Sequence, residues 1–198
     1  MFTSWAKLII LYLIVGVICT FPLSQSLTKI HIPFVLMILG IIVFMSYFQG
    51  TFFEDFQDDH LAWCLAHKMP PLSLISQKLW ASFLYLIVPL CIAYVFNLLF
   101  WIPSAQLPIY LTAFSLTLLS LSGWCLLLTL IQGKNQSILA IFILPLAIPS
   151  LLIAQSLFSA IALGQEASYY LAMQGGIALF STAISALLSP FIIRSMSW

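Results

Sequence analysis

Charge is what this sequence has least of. Only 6% of its 198 residues are Asp, Glu, Lys or Arg, against about 25% in an ordinary soluble domain. Six bases stand against five acids, so there is no basic face for nucleic acid and no acidic or basic tail. Cysteine is scarce and scattered. Cys19, Cys64, Cys91 and Cys125 form no C-x-x-C pair, which argues against a disulfide framework and a zinc site and leaves small apolar filler as their role. A Walker A loop is missing too: Gly133-Lys134 lacks the earlier glycine and the following Ser/Thr. Any energy from ATP must therefore come from another chain. No stretch alternates apolar and polar residues, which excludes a membrane β-barrel.

What is there is apolar. With 63% hydrophobic residues and a mean hydropathy of +1.16, the chain reads as an all-α integral membrane protein. A spanning helix needs ~20 mostly apolar residues. Six stretches qualify, at about 7–27, 33–53, 79–102, 107–131, 138–163 and 169–192, forming one transmembrane domain over residues 1–198. Between them lie "QSLTKIH", "WIPSAQLP", "IQGKNQS" and "LGQEAS". The first span lacks a small-residue cleavage site and runs into Phe21-Pro22-Leu23, so it is expected to stay rather than be removed as a signal peptide.

Six spans place both termini and the second and fourth loops on one side. That side holds Lys7, Lys68, Lys78, Lys134 and Arg194, while Lys29 stands alone on the other. The positive-inside rule then puts both ends in the cytoplasm. No span has an Asp, Glu, Lys or Arg near its middle, which argues against an ion-coupled transporter or proton pump.

The acids are concentrated instead. "FFEDFQDDHLAWCLAHK" (52–68) holds Glu54, Asp55, Asp58 and Asp59, four of the five carboxylates; Glu166 is the fifth. Set on a helix over 52–66, these four share one face while Phe52, Phe53, Phe56 and Trp63 fall roughly opposite. Such a helix lies in the membrane interface with its aromatic side buried and its carboxylates in the cytosol. "KMPP" and "LSLISQK" follow as a proline-marked corner and a second short segment. The stretch is expected to form a short cytoplasmic amphipathic elbow after the second span.

Glu54-Asp55-x-x-Asp58 also imitates the aspartate-rich motif with which membrane prenyltransferases hold magnesium and a diphosphate, a chemistry that needs several hard oxygen ligands. Those enzymes supply a second aspartate-rich loop and basic residues; here the only other acid is Glu166, on the opposite side. His60 and His67, seven residues apart, read as interfacial packing rather than metal ligands, and His31 as a loop histidine. The chain is expected to be a non-catalytic subunit with no metal site.

Four landmarks in order give the chain a resemblance. "FPLS" (21–24) lies in the first span. The acidic stretch follows the second, then Pro70-Pro71 and Lys78 before the third. "LPLAIPSLLIA" (144–154) lies in the fifth, and "LSPF" (188–191) ends the sixth. The chain resembles the B-subunit family of the cytochrome c maturation system, the haem exporter B proteins, over essentially its whole length. In the family's acidic motif F-x-x-D-x-x-D-G-[ST]-L-E, Asp58 and Leu61 match, whereas Asp59, His60 and Ala62 replace the glycine, the Ser/Thr and the glutamate.

The resemblance implies an ABC-2-type permease subunit of the bacterial inner membrane, working as a homodimer with a separate ATPase, the A subunit. It implies the C and D subunits and the haem chaperone E as further partners. It implies haem as the transported ligand, or as cargo of the chaperone that is released, with ATP bound by the partner and no cofactor held directly. The tryptophan-rich outer loop of the C subunit is absent, since Trp101 and Trp124 lie within or at the ends of spans. The docking surface for the ATPase would be Glu54, Asp55, Phe56, Asp58, Asp59 and Leu61. An ABC-2 permease for a lipid or drug is the alternative within transport, and a prenyltransferase-like enzyme the alternative outside it.

Two further features belong to the spans. Pro145 and Pro149 fall on one face of the fifth, where they act either as a packing kink or as a hinge. Gly175-Gly176 with Ser181, Ser185 and Ser189 supplies small residues to the sixth, suited to close helix contact.

Overall fold

The computed structural model describes residues 2–23, 31–57, 67, 70–132 and 139–195, and these are almost entirely helical, with no strand among them. The helices are α1 (Phe2–Leu23), α2 (His31–Gln57), α3 (Pro71–Leu98), α4 (Leu107–Gln132), α5 (Leu139–Ala162) and α6 (Ser168–Ser195). Five of them, α2 to α6, contain windows long and apolar enough to cross a membrane. In α1 the described apolar run is shorter, Ile9–Ile18.

The boundaries of α4, α5 and α6 fall within a few residues of those expected. Those of α2 and α3 do not. α2 continues through Gln57, so Glu54, Asp55 and Phe56 belong to the end of the second span's helix rather than to a separate one. α3 begins at Pro71 instead of residue 79. Pro70 is extended (φ −64°, ψ 129°) and Pro71 occupies the first turn, where its missing N–H is no loss. "LSLISQK" is thus the opening of the third span, and Lys78 lies inside it, half-buried. The proline pair starts a helix.

α3 changes pitch once. Residues Phe83–Ile87 form a π turn, with the Val88 N–H reaching back to the Phe83 carbonyl. Pro89 stands one residue beyond Val88 and has no N–H to give to Tyr85, so widening the turn by one residue eases the clash of its ring with that carbonyl. α5 holds Pro145 and Pro149 without any such widening. The link from α5 to α6 is closed by Gly164, whose φ of 68° only glycine adopts freely. Its N–H bonds to the Ile161 carbonyl at 3.1 Å and that of Gln165 to the Ala160 carbonyl at 2.8 Å, a Schellman stop.

α4 is the central helix. Two thirds of its spanning window (67%) is buried, against 28% for α6. It packs most extensively on α6 and also meets α2, α3 and α5. Phe114 on α4 stacks on Tyr94 of α3 with ring centroids 4.2 Å apart. Two buried hydroxyls find backbone acceptors on α2: Tyr12 donates to the Leu36 carbonyl (2.9 Å) and Tyr94 to that of Pro33 (3.2 Å). Without water in the bilayer, such groups need a partner inside the protein. The outer surface is greasy, with Ile14, Ile42, Phe96, Phe180 and Phe191 all more than half exposed.

Candidate functional site

The expected docking residues divide at the end of α2. The backbone of Glu54, Asp55 and Phe56 is helical, while their side chains, and all of Asp58, Asp59 and Leu61, lie outside the described residues. His31 opens α2 as an exposed residue, and His67 sits in a turn beyond its other end, so the two are not brought together. His60 lies outside the described residues. No group of three metal-ligating side chains occurs among the described ones.

Polar chemistry inside the described bundle is concentrated between α4 and α6. Gln174 on α6 is completely buried. Its amide donates to the Ala113 carbonyl at 2.9 Å and, in a very short contact, to the Thr117 hydroxyl. Thr117 in turn donates to the Ala113 carbonyl at 2.9 Å. The Gln174 Oε1 is buried with no partner. Further along, Ser185 donates to the Gly123 carbonyl. These pairings advance together on both helices, so α4 and α6 run parallel.

Gly123 makes that approach possible. A Cβ there would lie 2.9 Å from the Ser181 carbonyl carbon and oxygen and 3.0 Å from the Thr182 nitrogen, which are backbone atoms that cannot swing aside. Ser181, Ser185 and Ser189 are fully buried, as close helix contact requires. Gly175 and Gly176 are not part of the contact: a Cβ at either meets nothing within 4 Å. Close packing comes from the serines of α6 against a glycine of α4. The signal in the sequence was Gly123, flanked by Ser120 and Ser122.

Pro145 and Pro149 both sit on the exposed side of α5, the side that also presents Ile148, Leu152, Gln155, Ser156 and Ser159. Ser156 and Ser159 return their hydroxyls to the carbonyls one turn back, both at 3.0 Å. A groove of about 450 Å3 runs from Leu152, Gln155 and Ser159 to Leu163, Gln165 and Tyr170 at the start of α6. A second groove of similar volume lies between α3 and α4 beside the π turn, walled by Phe83, Ile87, Cys91, Val95 and Leu111. The first is polar in half its lining residues. The second is apolar apart from Thr112 and Ser115, as a lipid-facing crease should be.

The profile of the CcmB protein family matches residues 4–195, nearly the whole chain. No curated protein matches it.

Proposed function

The chain belongs to the CcmB protein family, the permeases that form a membrane component of a haem-export ABC system for cytochrome c biogenesis, and from that premise we propose how it works. Two copies cross the bacterial inner membrane six times each, with both termini cytoplasmic. They bind a separate ATPase and couple its cycle to haem export or to release of the haem-loaded chaperone. α1 is the sixth span. The ATP and its hydrolysis belong to the partner, and the C and D subunits and the chaperone complete the assembly. The observation behind this reading is the family match over 4–195 in a chain of apolar helices without a Walker A loop.

In this reading the end of α2 and the residues after it form the docking elbow. Asp58 makes the central contact, Glu54 and Asp55 support it, Asp59 and Leu61 complete the docking surface, and Phe53 and Phe56 set the elbow in the interface. Carboxylates on a rim steer association, whereas buried apolar groups anchor it. Asp58→Lys is expected to weaken capture of the ATPase, a lost charge pair at a partly buried interface costing roughly 2–5 kcal/mol. Co-purification of the ATPase with the tagged chain measures this, and full occupancy with Asp58→Lys would sink the docking role. A magnesium site would behave differently, losing function in Asp58→Asn with ATPase binding intact.

Orientation has its own measurement. A cysteine at Gln165 should be labelled from the outside of intact cells, and one at Gln136 only after permeabilisation. The reverse pattern would invert the assignment.

A further inference from the structure

α3 is one helix by extent and two by packing. Its first part, Pro71–Ser82, buries Leu74, Ile75 and Ser82 and packs chiefly on α6. Its second, Val88–Leu98, buries Pro89, Leu90, Ala93, Tyr94, Asn97 and Leu98 and packs on α1, α2 and α4. Specific contacts fix the second part. Tyr94 donates to the Pro33 carbonyl and stacks on Phe114, and the Asn97 amide fills the space that a Cβ at Gly16 would need, 2.8 Å from its Oδ1. In the first part the hydroxyls of Ser73, Ser76 and Ser82 donate locally, to the carbonyls of Pro70 (2.8 Å), Ser73 (2.9 Å) and Leu79 (2.8 Å).

Between the two parts the backbone bonding changes. The Phe83 N–H is shared between the Leu79 and Trp80 carbonyls, the Val88 N–H reaches five residues back to Phe83, and Pro89 has none to give. Leu84 and Tyr85 leave the outer side of the turn half exposed. A groove of about 450 Å3 runs beside it, from Phe83 past Ile87, Cys91 and Val95 toward α4. Sharp bends in helices concentrate at π turns and at prolines, and α3 has both within one short stretch.

We propose that the π turn Phe83–Ile87 is a joint, on which Pro71–Ser82 swings as a unit over α6 while Val88–Leu98 stays fixed against α1, α2 and α4. The arm is held by few buried side chains, so it is the part of α3 that moves at least cost. Pro89 sets the place of the joint, because a residue with an N–H there could bond to Tyr85 and close the turn to ordinary pitch. The driver rests on the docking reading above: the acidic stretch runs toward Pro71, so a partner held on it pulls on the tip of the arm. From Leu72 to Phe83 the arm rises roughly 17 Å, and a bend of about 20° moves its tip by roughly 6 Å. Hinges of this kind absorb their change in a few backbone positions and leave the flanking elements intact.

The test measures distances between spin labels on the full chain in lipid nanodiscs. Cys19, Cys64, Cys91 and Cys125 are replaced by alanine, and labelled copies are diluted with unlabelled ones. Leu72→Cys with Ile131→Cys reads the arm against α4, and Leu99→Cys with Leu163→Cys reads the fixed part against the end of α5; all four positions are exposed. The arm pair should give a distance distribution about twice as wide as the fixed pair, or wider. Equal widths would overturn the joint. Pro89→Ala should narrow the arm pair toward the fixed one; an unchanged width would assign the spread to fraying at Pro71 and overturn the joint as well. The complex with the co-expressed ATPase, with and without ATP and vanadate, then tests the driver. The mean of the arm pair should shift by roughly 6 Å with the fixed pair unmoved. Equal shifts in both pairs would mean that the bundle moves as one body, against the joint. An unmoved arm with the ATPase fully retained would overturn the partner as driver. Absence of the ATPase from the complex would sink the docking reading, and the nanodisc widths would still decide the joint.

Discussion

Gln174 and Gln155 are the same side chain on neighbouring helices, and the protein treats them in opposite ways. Gln174 is enclosed between α4 and α6, donating to Ala113 and Thr117. Gln155 stands on the outer side of α5 beside a half-polar groove. In water the second would need no comment. In a bilayer both have to be satisfied, and the enclosed amide shows how packing within one chain does it. Hydrophobicity alone misses this difference, because neither residue interrupts the apolar run of its span.

The comparison can be broken most severely at the buried seam. Gly123→Val places branched carbons where even a Cβ lies 2.9 Å from the Ser181 backbone. Overpacking of this kind costs about 1–3 kcal/mol when side chains can yield. Here only backbone opposes it, so the variant should lie at or beyond the top of that range. The expected outcome is loss of monodisperse protein in detergent, read by size-exclusion chromatography; a normal elution profile would show that α4 and α6 are not held by this contact.

Gln174→Leu is a milder probe of the same seam. It removes the bonds to Ala113 and Thr117 but also the orphaned Oε1, and Thr117 keeps its own bond to Ala113. The net loss should be about 0.5–1.5 kcal/mol, the range of interhelical hydrogen bonds in membranes. Detergent-based unfolding of the purified chain measures it. A loss of several kcal/mol would mean that the node governs the bundle more widely.

On α5 the smallest effect on stability is expected. Pro145→Ala with Pro149→Ala restores two backbone donors on the exposed side of the helix, so thermal stability should hold or rise. If the prolines form a hinge, cytochrome c maturation should fall while insertion is normal. Unimpaired maturation would reduce them to a packing feature. The π turn ahead of Pro89 shows another way a helix here accommodates proline, by widening a turn.

Much of this was legible in the chain. The extents of α4, α5 and α6 follow from apolar length, since a helix must satisfy its own backbone across the hydrocarbon. The acidic stretch was misread in part because a pattern that is amphipathic over 52–66 does not announce where the preceding helix stops; α2 simply continues to Gln57. Pro70-Pro71 was equally ambiguous, because proline fits both a corner and a first helical turn. Gly175-Gly176 looked like the tight contact, yet Gly123 makes it.

By itself, then, the sequence determined that this chain lives in a membrane as helices, and through its ordered landmarks it indicated the family whose profile covers residues 4–195. Those properties depend on summed hydrophobicity and on residue order, which are carried along one dimension. Only the tertiary structure decided that α4 is central, that Gly123 meets Ser181, that Gln174 points inward and that Gln155 points outward. A helix whose every face is apolar has no preferred side until its neighbours are placed, so the direction of each polar side chain follows from packing.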